Sequence, residues 1–225
     1  MREAARYLDV PVSTFATWAH AYRHQSTRHR MVVGSPVLTA LPKSGQRGPA
    51  IPFIGLAEGL VLTAMRHSGV PLQRIRPALA ALDERFGLEH ALASERLYTD
   101  GAEILFDYAE TGADPGATRA ARELVVIRNG QRVFNATIES YLRRVVLGDD
   151  GYARLMELPA YEVAEVVVDP NRGFGQPIFV HGGARVEDAI GMFRAGEPLD
   201  AVAEEYGVPR EQLEDAVRIA VPPAA

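Results

Sequence analysis

The residues best equipped for chemistry in this chain are hydroxyls, imidazoles and guanidiniums in its first fifty positions. Ser13, Thr14, Thr17 and His20 lie within EAARYLDVPVSTFATWAHAY, Glu3 to Tyr22. The run RHQSTRHR adds Arg23, Arg28 and Arg30, and Lys43 and Arg47 follow in a Pro/Gly/Ser-rich stretch. Short polar side chains can hydrogen-bond base edges, and cationic ones neutralise phosphates, so the grouping points to nucleic-acid contact. Covalent chemistry finds less material. There is no cysteine, hence no disulfide or thiol nucleophile. His20, His24, His29, His67, His90 and His181 have no HxxxH-type spacing. Nucleophile-elbow, P-loop and kinase motifs are missing from the sequence. Asp149-Asp150 precede Gly151 and read as a turn rather than a metal pair. GFGQPIFVHGG, Gly173 to Gly183, is glycine-rich enough to cradle a phosphate but lacks the strand–GxGxxG–helix context, so it reads as a structural loop. The expectation is no catalytic residue, no metal and no cofactor.

The elements that must position these residues come from a chain of 225 residues, 47% hydrophobic and 24% charged, ordinary values for a globular protein. Its formal charge of −5 is unevenly spread. Residues 1–50 hold seven basic side chains against two acidic ones, whereas residues 151–225 hold six against thirteen. Phosphate attracts the first segment and is repelled by the second, which suggests two kinds of partner. Neither a signal peptide nor a membrane-spanning run is apparent (GLVLTAM, Gly59 to Met65, is too short), so no membrane partner and a cytoplasmic location are expected. A helix beginning directly after Met1 suggests that a few residues precede it in the natural protein.

Ala4, Ala5 and Leu8 form one face of a first helix, which Asp9-Val10-Pro11 breaks. Ser13 is placed to cap a second helix, with Phe15, Trp18, Ala19 and Tyr22 as its buried stripe and Ser13, Ala16, Thr17, His20 and His24 opposite. MVVGSPVLTALPKSGQRGPAIPF offers a β-like run, a tip carrying Lys43 and Arg47, and a return, as a wing requires. Two helices follow: one bearing Leu56, Leu60 and Met65, the other bearing Leu72, Ile75, Leu79 and Leu82 and ending at Gly87. Asp100-Gly101 and Asn129-Gly130 each predict a hairpin, with TGADPGATRAA as a loop between them. Asn135 can cap a helix with Ile138, Tyr141, Leu142 and Val145 inward, and YARLMEL and EVAEVVVD then read as strands. Near the C-terminus AEEYGVPREQL echoes ARYLDVPVSTF and predicts a second helix-turn-helix. Its surface is acidic: Glu204, Glu205, Glu211, Glu214 and Asp215 stand against Arg210 and Arg218. The class expected is α+β. Residues 1–90 form a winged helix-turn-helix with a helical hairpin, 91–168 a small antiparallel α+β unit, and 169–225 a helical domain.

The first 85 or so residues, through EAARYLDVPVSTFATWAHAY, the wing and RHSGVPLQRIRPAL, resemble the N-terminal domain of MerR and excisionase-type regulators. That resemblance implies DNA contact by Ser13, Thr14 and Thr17 and phosphate clamping by Arg23, Lys43 and Arg47. At Ala16 the family often carries Arg, so backbone contact is better supported than base specificity. Residues 167–217, with Gly-x-Pro, Gly183-Ala184-Arg185-Val186 and AGE before a helix-turn-helix, resemble the domain of unknown function 433. Together the two parts look like a VapB-type antitoxin of a type II toxin–antitoxin pair. The resemblance implies a PIN-domain ribonuclease toxin and operator DNA as partners, autorepression, and a homodimer or a larger hetero-oligomer with the toxin. Such nucleases use clustered carboxylates and Mg²⁺, which makes Arg172 and Arg185 candidate toxin contacts. The alternatives are a stand-alone MerR-like regulator with a ligand-sensing C-terminal part, and an RNA-processing or nucleotide enzyme for which the sequence offers no active site.

Overall fold

The computed structural model describes residues 1–20, 22–25, 31–41, 51–87, 89–129 and 131–220. Its contacts group into two compact units: Met1–Arg6 with Val10–Ala153, and Tyr7–Asp9 with Arg154–Ala225. The expected middle segment, 91–168, is thus shared between them, changing hands near residue 153.

The chain begins with α1 (Arg2–Tyr7) and α2 (Val12–Ala19). Asp9 takes a left-handed φ of 52°, and Val10 N–H returns to Ala5 O at 2.9 Å. Pro11, with φ already near its fixed value, is the N-cap of α2. Ser13 therefore lies inside the first turn and is not the cap the sequence suggested. Phe15 and Trp18 are fully buried, their rings tilted and 5.9 Å apart. Strands β1 (Tyr22–Gln25) and β2 (Met31–Gly34) form an antiparallel hairpin.

From there the chain is stapled between helices. Val37 N–H and Leu38 N–H donate to Trp18 O at 2.8 and 3.3 Å. Thr39 then lies on α3 (Phe53–His67). Its N–H donates to Glu58 Oε2 at 2.5 Å, and its carbonyl oxygen sits 2.1 Å from where a Cβ on Gly55 would project. Helix α3 is buried on all sides from Gly55 to Met65 and forms the spine of this unit. α4 (Leu72–Phe86) follows the predicted Ser68–Pro71 break and ends on left-handed Gly87.

The predicted hairpin at Asp100-Gly101 is instead the middle of α5 (Glu95–Thr111). The buried residues Leu97, Gly101, Ala102, Leu105 and Ala109 keep a helical period. Gly101 is there for packing: an added Cβ would meet Leu97 Cδ1 at 3.0 Å and Phe134 Cζ at 3.1 Å. From Pro115 on, the predicted loop after it is instead the start of α6 (Pro115–Leu124), which packs on α4 and α5. Asp114 caps this helix by accepting from Ala117 N–H at 2.8 Å, and Pro115 fills the first position. The second hairpin holds: β3 (Val125–Arg128) and β4 (Gln131–Phe134) pair across Asn129, whose φ is 51°. Asn135 caps α7 (Ala136–Leu142) through Ile138 N–H at 3.1 Å. Val145 is not on that helix but in β5 (Val145–Leu147).

In the second unit β6 (Ala153–Glu157) pairs antiparallel with β7 (Val166–Val168), and β7 with β8 (Ile178–Phe179). The predicted strand EVAEVVVD contracts to its last valines because residues 163 and 164 are tied elsewhere. Their N–H groups donate to Asp215 Oδ2 at 2.8 and 3.0 Å. Three helices complete the unit: α8 (Val186–Arg194), α9 (Leu199–Tyr206) and α10 (Arg210–Ala220). Val202, Ala203, Val208, Leu213 and Ala216 bury the α9–α10 pair across left-handed Gly207, as its sequence echo of α1–α2 predicted. Asp215, expected on the acidic surface, is an interior residue instead, whereas Glu204, Glu205, Glu211 and Glu214 are exposed.

Gly55 gives a direct test of the staple. Gly55→Ala sets a methyl group against a backbone oxygen, where no side chain can swing away. It should destabilise the first unit by about 3 kcal/mol or more, read from urea unfolding followed by the fluorescence of Trp18, the lone tryptophan.

Candidate nucleic-acid interface

Helix α2 puts Ser13, Thr17 and His20 at helical spacing on one exposed face, opposite buried Phe15, Trp18 and Ala19. Thr14 lies half-buried beside them. Thr17 Oγ1 donates to Thr14 O at 2.7 Å, so its proton is engaged and its lone pairs face outward as acceptors. An acceptor of this kind suits the amino groups of adenine or cytosine in a major groove. His20 ends the helix in extended conformation, with its N–H on Ala16 O at 3.1 Å and its imidazole in solvent.

Sequence reasoning missed what fixes this face. Arg76, on α4, donates from Nη2 to Thr17 O at 3.3 Å and from Nη1 to Ser35 O. One guanidinium thus ties the α2 backbone to the segment leaving the hairpin. The only signal in the sequence was an Arg immediately before Pro77 within an apolar helix.

Of the basic residues expected around the wing, the described residues place Arg23. Arg23 lies in β1, opposite Val33 of β2. The first strand therefore falls inside the Arg-rich run, and the positions joining the two strands, 26–30, are the ones that contain Arg28 and Arg30. Of the return expected after Lys43 and Arg47, the described part begins at residue 51 and leads into α3, which Pro52 caps. Arg28, Arg30, Lys43 and Arg47 lie outside the described residues.

A second cluster surrounds Glu58, the lone carboxylate in the apolar run of α3. Thr39 Oγ1 donates to Glu58 Oε1 at 3.2 Å, and His90 Nδ1 lies 2.8 Å from Thr39 Oγ1 and 3.1 Å from Glu58 Oε1. Burial, reinforced by repulsion from Glu58, lifts the Asp83 carboxyl above the ordinary carboxylate range. These groups and Arg76 line a cleft of ≈ 780 Å³ within the first unit. Among the described residues no group of three His, Asp or Glu side chains could hold a metal ion. No described helix is long and apolar enough to cross a membrane.

In the second unit Arg172 and Arg185 flank a turn of reversed hand. Gly173, Phe174 and Gly175 have φ of 55°, 57° and 72°. Gly175 N–H returns to Arg172 O and Gln176 N–H to Gly173 O, both at 3.0 Å. Left-handed backbone at a bulky residue costs roughly 1–3 kcal/mol, yet the Phe174 ring is 92% exposed. Arg185 is not a loose cation. Its Nε and Nη2 bind both oxygens of Asp188 at 2.7 Å, which raises its pKa further, and its guanidinium carbon lies 5.9 Å from the Phe174 ring centre. Arg172 is exposed, with Nη2 3.8 Å from where a Gly183 Cβ would stand. The glycine-rich stretch is structural at Gly173 and Gly182, where an added Cβ would lie 2.6 Å from Ile178 Cγ2 and 2.0 Å from Tyr206 O.

Residues 1–79 match the family described as "Putative DNA-binding HTH domain", and residues 166–220 match "Protein of unknown function (DUF433)". The chain is 46% identical over 218 residues to the Mycobacterium tuberculosis H37Rv protein named "Putative antitoxin VapB45", covering 96% of this chain and 91% of that one. It is 29% identical over 224 residues to "Uncharacterized protein Rv2308" of the same strain, covering 96% and 86%. The crystal structure of Rv2018 from M. tuberculosis superposes with a TM-score of 0.79 at 44% identity, over 96% of this chain and 95% of that one.

Removing the α2 clamp should loosen the exposed face without unfolding the unit. Arg76→Met is expected to cost about 1.5–3 kcal/mol in Trp18-monitored unfolding and to raise amide hydrogen exchange selectively over residues 13–19.

Proposed function

The chain belongs to the family of the M. tuberculosis protein named "Putative antitoxin VapB45", and from that premise we propose that it neutralises a PIN-domain ribonuclease and represses its own operator. The observation that carries this reading is the short helix α2. It presents Ser13, Thr17 and His20 outward, is clamped from behind by Arg76, and is followed at once by a hairpin built in the most basic part of the sequence. In this reading α2 enters the major groove with Thr14 at its edge. Arg23, Arg28, Arg30, Lys43 and Arg47 neutralise phosphates on either side. A dimer sets two such helices on a near-palindromic operator. The second unit, acidic overall, carries the toxin contacts at Arg172 and Arg185, and the antitoxin itself works in the cytoplasm without a metal or cofactor.

The cleft beside Arg76 favours a second reading, a stand-alone regulator that answers a small ligand. Its sensor would then lie next to the DNA-reading helix rather than in the C-terminal part.

Co-expression with the small reading frame beside the gene separates the two. The antitoxin reading expects co-purification and relief of toxicity; absence of both would sink it. For DNA, Lys43→Glu with Arg47→Glu should weaken binding to the upstream region. It should also flatten the slope of log K against log salt by about two, one per lost phosphate contact. An unchanged slope would remove these two residues from the interface.

A further inference from the structure

Among the described residues, Phe174 is the most exposed of the large apolar side chains, and it stands where an aromatic is least at home. Both neighbours are glycines, for which positive φ is easy. A glycine at 174 would hold the same turn without strain, and the unit's interior makes little use of the ring. The strain therefore calls for an explanation outside the unit's own packing.

We propose that Phe174 is the apolar anchor by which the second unit docks on an acidic protein surface, with Arg172 and Arg185 as its flanking cations. The inference rests on the antitoxin reading and assigns the docking point on the ribonuclease. Three features fit an anchor. The turn is rigid: two 3.0 Å backbone bonds close it, and Gly173 is wedged against Ile178 in β8, which is buried. An aromatic already held in its projecting pose loses little freedom on binding. Asp188 grips Arg185 in bidentate fashion, which fixes the guanidinium beside the ring and balances its charge, so the exposed Arg172 supplies the uncompensated cation at the turn. Aromatic and Arg side chains are the types that dominate interface energetics, and together they match an apolar hollow rimmed by carboxylates.

Charge selects the occupant. Residues 151–225 carry six Arg against thirteen Asp and Glu, a formal −7, so phosphate backbones and anionic lipid are repelled from this unit as a whole. A second copy meeting this surface symmetrically would bring Arg172 and Arg185 toward their own counterparts. A long phosphate backbone or a lipid sheet meets the negative charge of the whole unit, whereas a compact acidic hollow on another protein meets only the turn, where Arg172 stands exposed.

The test uses the full chain co-purified with the ribonuclease encoded beside it, with affinity measured by calorimetry or competition. Phe174→Gly should keep or raise the melting temperature, because it relieves the left-handed strain, yet weaken the complex by about 30-fold or more. Phe174→Tyr should retain binding. Arg172→Glu should weaken the complex and reduce its salt dependence. Operator binding by Phe174→Gly should match the parent chain. A Phe174→Gly complex within about threefold of the parent overturns the anchor and leaves the antitoxin reading standing. Loss of self-association with unchanged ribonuclease affinity overturns it in favour of a second copy. If the parent chain itself does not bind the ribonuclease, both the antitoxin reading and the anchor fall.

Discussion

Helix α2 has eight residues, too few to hold its own shape in water. Everything about its exposed face therefore depends on how it is fastened. Phe15 and Trp18 anchor one side by burial, and the carbonyls of Thr17 and Trp18 are tied to Arg76 and to residues 37–38. Residue 39 passes the connection to α3 through Glu58 and the bare backbone of Gly55. A helix of this size keeps a fixed outward face only because its last turn is bonded to a buried spine. The carboxylate of Glu58 sits in that spine at little cost because Thr39 and His90 satisfy it.

The two units solve opposite electrostatic problems. The first concentrates cations in its opening fifty residues, where α2 and the hairpin lie. The second uses a similar pair of helices, α9 and α10, but covers them with Glu204, Glu205, Glu211 and Glu214. Its one interior carboxylate in that region, Asp215, is spent on the chain's own backbone: it holds the amides of residues 163 and 164 and pairs with Arg218 at 3.3 Å. Two helical pairs of similar sequence thus stand in segments of opposite charge, and the acidic one repels phosphate.

Where sequence and structure agree, the signal was local and had one reading. Pro11, the Ser68–Pro71 break, Gly87 and Asn135 each left a mark on helix boundaries that survives folding, and Asn129-Gly130 made its hairpin. The errors share a physical cause: residues with two uses. Asp100-Gly101 has turn chemistry, but there Gly101 serves close packing against Phe134, and the apolar period of α5 overrides the dipeptide. Asp114-Pro115 looked like loop material and is a helix start. Ser13 suits a cap, but the proline two residues earlier had already set the boundary. The candidate interface was legible in its residue types and in the outward face of α2. Arg76 was not, because its bonds go to backbone carbonyls distant in sequence, and such acceptors leave no trace in residue identity. Phe174 escaped notice for the converse reason: periodicity reads a lone aromatic between glycines as loop filler, and only its φ marks it.

The reversed hand of the Gly173–Gly175 turn reaches into synthesis. Backbone angles that strain an L-residue are the relaxed state of its mirror image. A short cyclic peptide spanning residues 172–176 with D-phenylalanine in the central place would hold this loop as its resting conformation. It would carry the ring and one guanidinium in a frame that the ribosome can build only under tension.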